Sequence, residues 1–150
     1  MSDLYYEDFQ VGQSFTSRAL EVTRERIIAF GEEFDPQPQH ISEAAAATSN
    51  FGTLIASGWH TAALTMRLQF EAAFSRIAGG GVGAGIQNLT WLRPVRPGDA
   101  LHVVVEVSEL RPSNSRPDRG IIRFLTTTVN QHGQPVETML GTVLVPRRAS

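Results

Sequence analysis

The sequence predicts an α+β fold in which one long apolar helix is wrapped by a curved antiparallel sheet. From Gly58 to about Ile77 apolar side chains recur at helical spacing, with Ala62, Met66, Phe70 and Phe74 on one stripe and Ala63, Leu64, Leu68 and Ala73 widening it. Beyond the run Gly79-Gly80-Gly81-Val82-Gly83-Ala84-Gly85 the chain changes in kind, to β-rich segments punctuated by turns at regular intervals. A helix with apolar surface this wide does not bury it alone, so the meander is expected to curve around it.

The elements follow in order. Ser14 to Val22, after a Gly-containing turn at Val11-Gly12-Gln13, has the Phe15, Thr16, Leu20 and Val22 content of a strand. Thr23 caps a helix from Arg24 to Phe34, with Ile27, Phe30 and Phe34 on one face. Pro36 and Pro38 end it, because a residue before proline is pushed out of the helical region. Ser42 opens a short Ala-rich helix, Glu43 to Thr48, which reads as scaffold. Then comes the long helix. Four strands are expected after it: Gly85 to Leu92, Leu101 to Ser108, Ile121 to Val129 and Val136 to Val145. In the second, Leu101, Val103, Val105 and Val107 alternate onto one face. The turns fall at Arg96-Pro97-Gly98-Asp99, in a polar loop from Arg111 to Gly120, and at Gln131-His132-Gly133-Gln134.

Composition narrows the function classes. The 150 residues match one ordinary domain, 1–150. Thirteen cationic and 15 acidic residues are spread evenly for a net charge of -2, so no footprint for nucleic acid is present. All the cations are Arg; without Lys there is no Schiff-base or P-loop chemistry. The absence of Cys excludes thiolate nucleophiles, disulfides and Cys-ligated zinc, and four scattered histidines have no metal-ligand spacing. The opening residues Met1 to Asp8 carry acids where a signal peptide would be basic, and no apolar run approaches the ~18 residues of a membrane span. A cytoplasmic protein without metal or membrane partner is expected. The glycine run precedes no helix and so is not read as a phosphate loop.

Two constellations carry chemistry. In Phe34-Asp35-Pro36-Gln37-Pro38-Gln39-His40 an acid and an imidazole stand five positions apart in a loop stiffened by two prolines. Such a pair can divide the proton transfers of hydration, and burial is expected to raise the carboxyl pKa. Spacing alone leaves open a second reading, with Asp35 in an Asx-turn and His40 on a polar surface. In Ile55-Ala56-Ser57-Gly58-Trp59-His60, Gly58 opens the long helix, whose free N–H groups can form an oxyanion hole. Gly58 would also admit a ligand close to the main chain. Ser57 as a plain helix cap is the alternative there.

Together these segments resemble the MaoC-like dehydratase family, which includes the (R)-specific enoyl-CoA hydratases. Asp35 to His40 and Ala56 to Thr61 carry the specific likeness; Tyr6 to Gly12 and Arg93 to Asp99 extend it over most of the chain. The resemblance implies a hot-dog fold, usually a homodimer or dimer of dimers. It also implies that Asp35 and His40 hold the reacting water while the Gly58 N–H polarises the thioester carbonyl of an enoyl-CoA. Coenzyme A would enter as part of the substrate, with no separate cofactor. The family's usual Asn is Gln37 here, and no serine within the helix matches the one some members carry. Gln37, Ser57, Trp59, His60 and Arg93 are the expected substrate-binding residues, although His60 on an apolar helix also reads as core. Arg67, Arg93 and Arg96 are candidates for the CoA phosphates. A thioesterase, or an acyl-CoA binding protein without turnover, shares the fold and stays open.

Overall fold

The computed structural model describes residues 3–149; Met1, Ser2 and Ser150 lie outside the described residues. The elements are β1 (Ser14–Thr16), β2 (Leu20–Glu21), α1 (Arg24–Phe34), α2 (Pro38–Ile41), α3 (Glu43–Ala47), α4 (Gly58–Ala72), β3 (Val82–Trp91), β4 (Ala100–Pro112), β5 (Arg119–Val129) and β6 (Pro135–Pro146). The six strands form one antiparallel sheet ordered β1-β4-β5-β6-β3, with β2 added beside β1 on the same neighbour, β4. This is the α+β arrangement expected, a hot-dog fold.

The predicted first strand divides in two because its ends pair different parts of β4: Phe15 lies opposite Val105, and Leu20 opposite Leu101. The strands β4 and β5 run to Pro112 and from Arg119, so the polar hairpin loop is shorter than its composition suggested. The glycine run also yields strand: β3 starts at Val82, not Gly85, and its irregular pairing with β6 absorbs the small residues. At the other end of the long helix, α4 stops at Ala72, short of Ile77, where Ala73 departs from helical angles and a 3₁₀ turn, Phe74–Arg76, follows.

Leu101, Val103, Val105 and Val107 of β4 are all 0% exposed, and with Ile122, Phe124, Val143 and Val145 they form the sheet side of the core. Against them α4 presents Leu64 and Leu68 together with the polar residues Thr61, Thr65 and Gln69, all buried. Two of these are paired across the interface: Thr65 Oγ1 meets Thr128 Oγ1 at 2.6 Å, and Thr126 Oγ1 donates to Gln69 Oε1 at 2.8 Å. The stripe expected to be buried is instead the open one, with Met66 at 46% and Phe70 at 51% exposure. Paired polar groups cost little to bury, so the Thr-rich face can seat on the sheet.

On α1, Ile27 reaches the core, whereas Phe34 is exposed and rests against Phe30. Among the described residues no helix is long and apolar enough to cross a membrane.

Candidate active site

The site is assembled where three helix ends converge. Asp35 is the C-cap of α1, its N–H bonded to the Gly31 carbonyl. Pro36 and Pro38 turn the chain at once into α2, a single turn with Pro38 at its start, which the loop reading missed. This turn places His40 back beside Asp35, and it packs on α1 only because position 31 is glycine. A Cβ there would stand 2.9 Å from the His40 carbonyl oxygen and 2.9 Å from Ile41 Cγ2. Gly31 is therefore a site-building residue that sequence reading passed over; its one signal was a glycine inside an otherwise helical pattern.

His40 is 6% exposed and tied to the segment before α4. Its Nδ1 lies 2.7 Å from the Ile55 carbonyl oxygen, and the Ile55 N–H returns a bond to the Gln39 carbonyl at 3.1 Å. A carbonyl only accepts, so Nδ1 carries the hydrogen, and the ring is turned with Nε2 toward Asp35. That Nε2 is 3.4 Å from Asp35 Oδ2.

Asp35 is held by two donors. Ser57 Oγ donates to Oδ2 at 2.6 Å and Gln37 Nε2 donates to Oδ1 at 2.8 Å. These bonds, with a smaller contribution from His40, hold the carboxyl below its ordinary range against the opposing effect of burial. The expectation of a raised pKa is thus corrected: the donors outweigh the partial burial, and Asp35 is ionised at neutral pH.

Ser57 is 1% exposed and caps α4 by accepting the Trp59 N–H at 3.2 Å. Its hydroxyl thus caps the helix, as the alternative reading had it, while donating its one hydrogen to Asp35. Neither Ser57 nor Gln37 offers its bonded group to a ligand; both position Asp35. The Gly58 N–H, one of those that helix geometry leaves open, has no partner among the described residues. The Cα face of Gly58 is not open, however, because a Cβ there would run into the Trp91 indole.

Trp59 is 60% exposed and meets Trp91 edge to face at 5.3 Å. His60 does not join the site. It is 5% exposed and stacks on Phe30 at 4.8 Å, which corrects the expectation of a substrate contact and favours the core reading. Burial pushes its imidazole down to about 4.

A cleft of about 350 Å³ opens at this place, lined by His40, Gln39, Ile55, Gly58, Trp91 and Arg93 among others. Arg93 and Pro94 also border an adjoining polar cleft with Arg96 and His132. Neither Arg93 nor Arg96 has an ion-pair partner among the described residues, whereas Arg67 is held by Glu71 at 2.6 Å. A larger apolar cavity of about 480 Å³ lies along the second half of α4, between Met66, Phe70 and Phe74 and the start of β3.

Fold and site together define a hot-dog protein with an acid–imidazole pair beside a helix N-terminus. The MaoC like domain matches residues 8–130, and the chain belongs to that family. It is similar to the uncharacterized protein YdeM of Bacillus subtilis, with 36% identity over 83% of this chain and 86% of that one. The (R)-specific enoyl-CoA hydratase of Rhodospirillum rubrum is 33% identical over 96% of this chain and 93% of its own. Among solved structures, a MaoC-like dehydratase from Rhodospirillum rubrum superimposes with a TM-score of 0.91 and 48% identity, covering 98% of this chain and 99% of the other.

Proposed function

We propose that the chain reversibly hydrates trans-2-enoyl-CoA to (R)-3-hydroxyacyl-CoA. The observation that carries the reading is the approach of Asp35 Oδ2 to His40 Nε2, 3.4 Å apart, with His40 on the wall of the cleft and Asp35 directly behind it. With Nε2 unprotonated, as the base for hydration must be, both atoms are acceptors and repel unless a donor bridges them. A water satisfies both by giving one hydrogen to each, which aims its oxygen lone pairs away from the pair and toward a bound acyl group. As the C3–O bond forms, the pair takes a proton from the water and a proton passes to C2, so that H and OH add across the double bond. The Gly58 N–H stabilises the charge that develops on the thioester oxygen, helped by the positive end of α4. The (R) hand follows the name of the Rhodospirillum rubrum relative.

In this reading the whole chain, 1–150, acts as one domain in the cytoplasm, with CoA arriving on the substrate and no further cofactor. Arg93 and Arg96 meet the phosphates of CoA. A homodimer covers the outer edge of β3, which has no neighbour among the described residues and carries the exposed Val82, Ile86 and Trp91.

The test is loss of enoyl absorbance when purified protein meets enoyl-CoAs of four to twelve carbons, with product chirality and free thiol read in parallel. Hydration without thiol release supports the proposal. Thiol release would favour a thioesterase, and binding without either change would favour a carrier.

A further inference from the structure

One carboxyl group in the core serves no part of the chemistry above. Glu137 of β6 is 0% exposed and has no ion-pair partner among the described residues. It stands on the face of β6 that carries Met139, Val143 and Val145 toward the core. Burial raises its pKa, with the Trp91 indole N–H and the nearby Thr65 hydroxyl opposing that only in part. Its Oε1 accepts the Trp91 indole N–H at 2.7 Å, and its Oε2 has no partner. A buried acid of this kind is costly, and an apolar residue of similar size would pack at less expense.

The sheet is built to make this contact. Down β3 the register pairs Gln87 with Leu140, then slips by one residue, so that Thr90 faces Thr138 and Trp91 faces Glu137. The slip lies at Asn88, which adopts a left-handed φ of 56°. Without that bulge Thr90 would stand opposite Glu137, and Trp91 would point to the other side of the sheet. The re-aimed ring covers the Cα face of Gly58 and lines the same cleft as His40.

We infer that Glu137 is a positioning residue, whose carboxyl holds the Trp91 indole on Gly58 and thereby fixes the wall of the cleft against which the acyl thioester lies. The inference rests on the hydratase reading for its consequence in turnover, but not for the contact itself.

Glu137→Gln keeps an acceptor for the indole, and Glu137→Leu removes it. With crotonyl-CoA, Glu137→Gln is expected to stay within about twofold of the parent in kcat/KM, whereas Glu137→Leu loses about tenfold, the usual scale for one lost hydrogen bond. The Glu137→Leu variant should nevertheless melt no lower than the parent, because the buried acid is gone. In a Trp59→Phe background the remaining emission is that of Trp91, and acrylamide should quench it more readily in Glu137→Leu than in Glu137→Gln. Parental kinetics in Glu137→Leu, or equal loss in both variants, overturns the inference. If the parent protein hydrates no enoyl-CoA, the hydratase reading fails on its own; the quenching comparison then decides, and equal quenching in the two variants overturns the hold on Trp91.

Discussion

Ser57 Oγ donates to Asp35 Oδ2 at 2.6 Å while accepting the Trp59 N–H at 3.2 Å, so the residue that starts α4 also anchors a carboxylate 22 positions earlier. Helix capping and the charge state of the site are therefore one interaction. Ser57→Ala removes both. The cap alone is worth about 1 kcal/mol, seen as a lower Tm. Because the lost hydroxyl is the largest cause of the lowered Asp35 pKa, the acid limb of the kcat/KM profile should move to higher pH.

Asp35→Asn and His40→Ala should each reduce turnover by at least about 10²-fold while leaving the far-UV circular dichroism unchanged. Full activity in both variants, measured by enoyl absorbance, would remove the acid–imidazole pair from the mechanism.

Gly31→Ala reverses a general trend. In an ordinary helix interior the change stabilises by roughly 0.5–1 kcal/mol. Here the added Cβ meets the His40 carbonyl oxygen and Ile41 Cγ2 at 2.9 Å each, and overpacking of this kind costs about 1–3 kcal/mol. The variant should melt lower than the parent and lose activity, since α2 can yield only by carrying His40 away from Asp35.

His60 ties stability to pH. Its folded pKa, about 4, lies below the ordinary 6.5, so between these values the unfolded chain binds more protons. Stability is therefore full above pH 6.5 and falls as the pH drops toward 4, by about 3 kcal/mol at most. His60→Phe, which keeps a ring against Phe30, should flatten the plot of Tm against pH over that window. Asp35 adds a further loss only below the ordinary carboxylate range, because its folded pKa is lowered.

Arg93→Ala and Arg96→Ala should raise KM for a CoA ester with little change in kcat, the signature of lost binding shared by ground and transition states. The effect should shrink in high salt and vanish with a pantetheine ester that lacks the phosphates.

Much of the fold was legible because alternation in a strand reports burial directly: Leu101, Val103, Val105 and Val107 read as one face and are one face. The long helix was legible in existence but not in orientation. Its apolar stripe through Met66 and Phe70 looked like the buried side, yet the buried side includes Thr61, Thr65 and Gln69. Their partners Thr126 and Thr128 lie about sixty positions away and in another element, beyond what periodicity within one segment can report. The site shows the same division. Asp35, His40 and Gly58 stood out by residue type and resemblance, whereas Gly31, Trp91 and Glu137 owe their positions to a close approach and a strand bulge. The environment of Asp35 was misjudged because burial was weighed without the two donors that face it.

The paired hydroxyls and amide between α4 and β5 have a consequence for how the protein can change. They act as a key in a slot: sliding the helix by one turn, about 5.4 Å, would break Thr65 from Thr128 and Gln69 from Thr126 together. Apolar contacts alone would tolerate such a slip. With the axial register locked in this way, substitutions along the opposite flank, at Met66 and Phe70, can resize the neighbouring hollow without displacing the helix tip that carries Gly58.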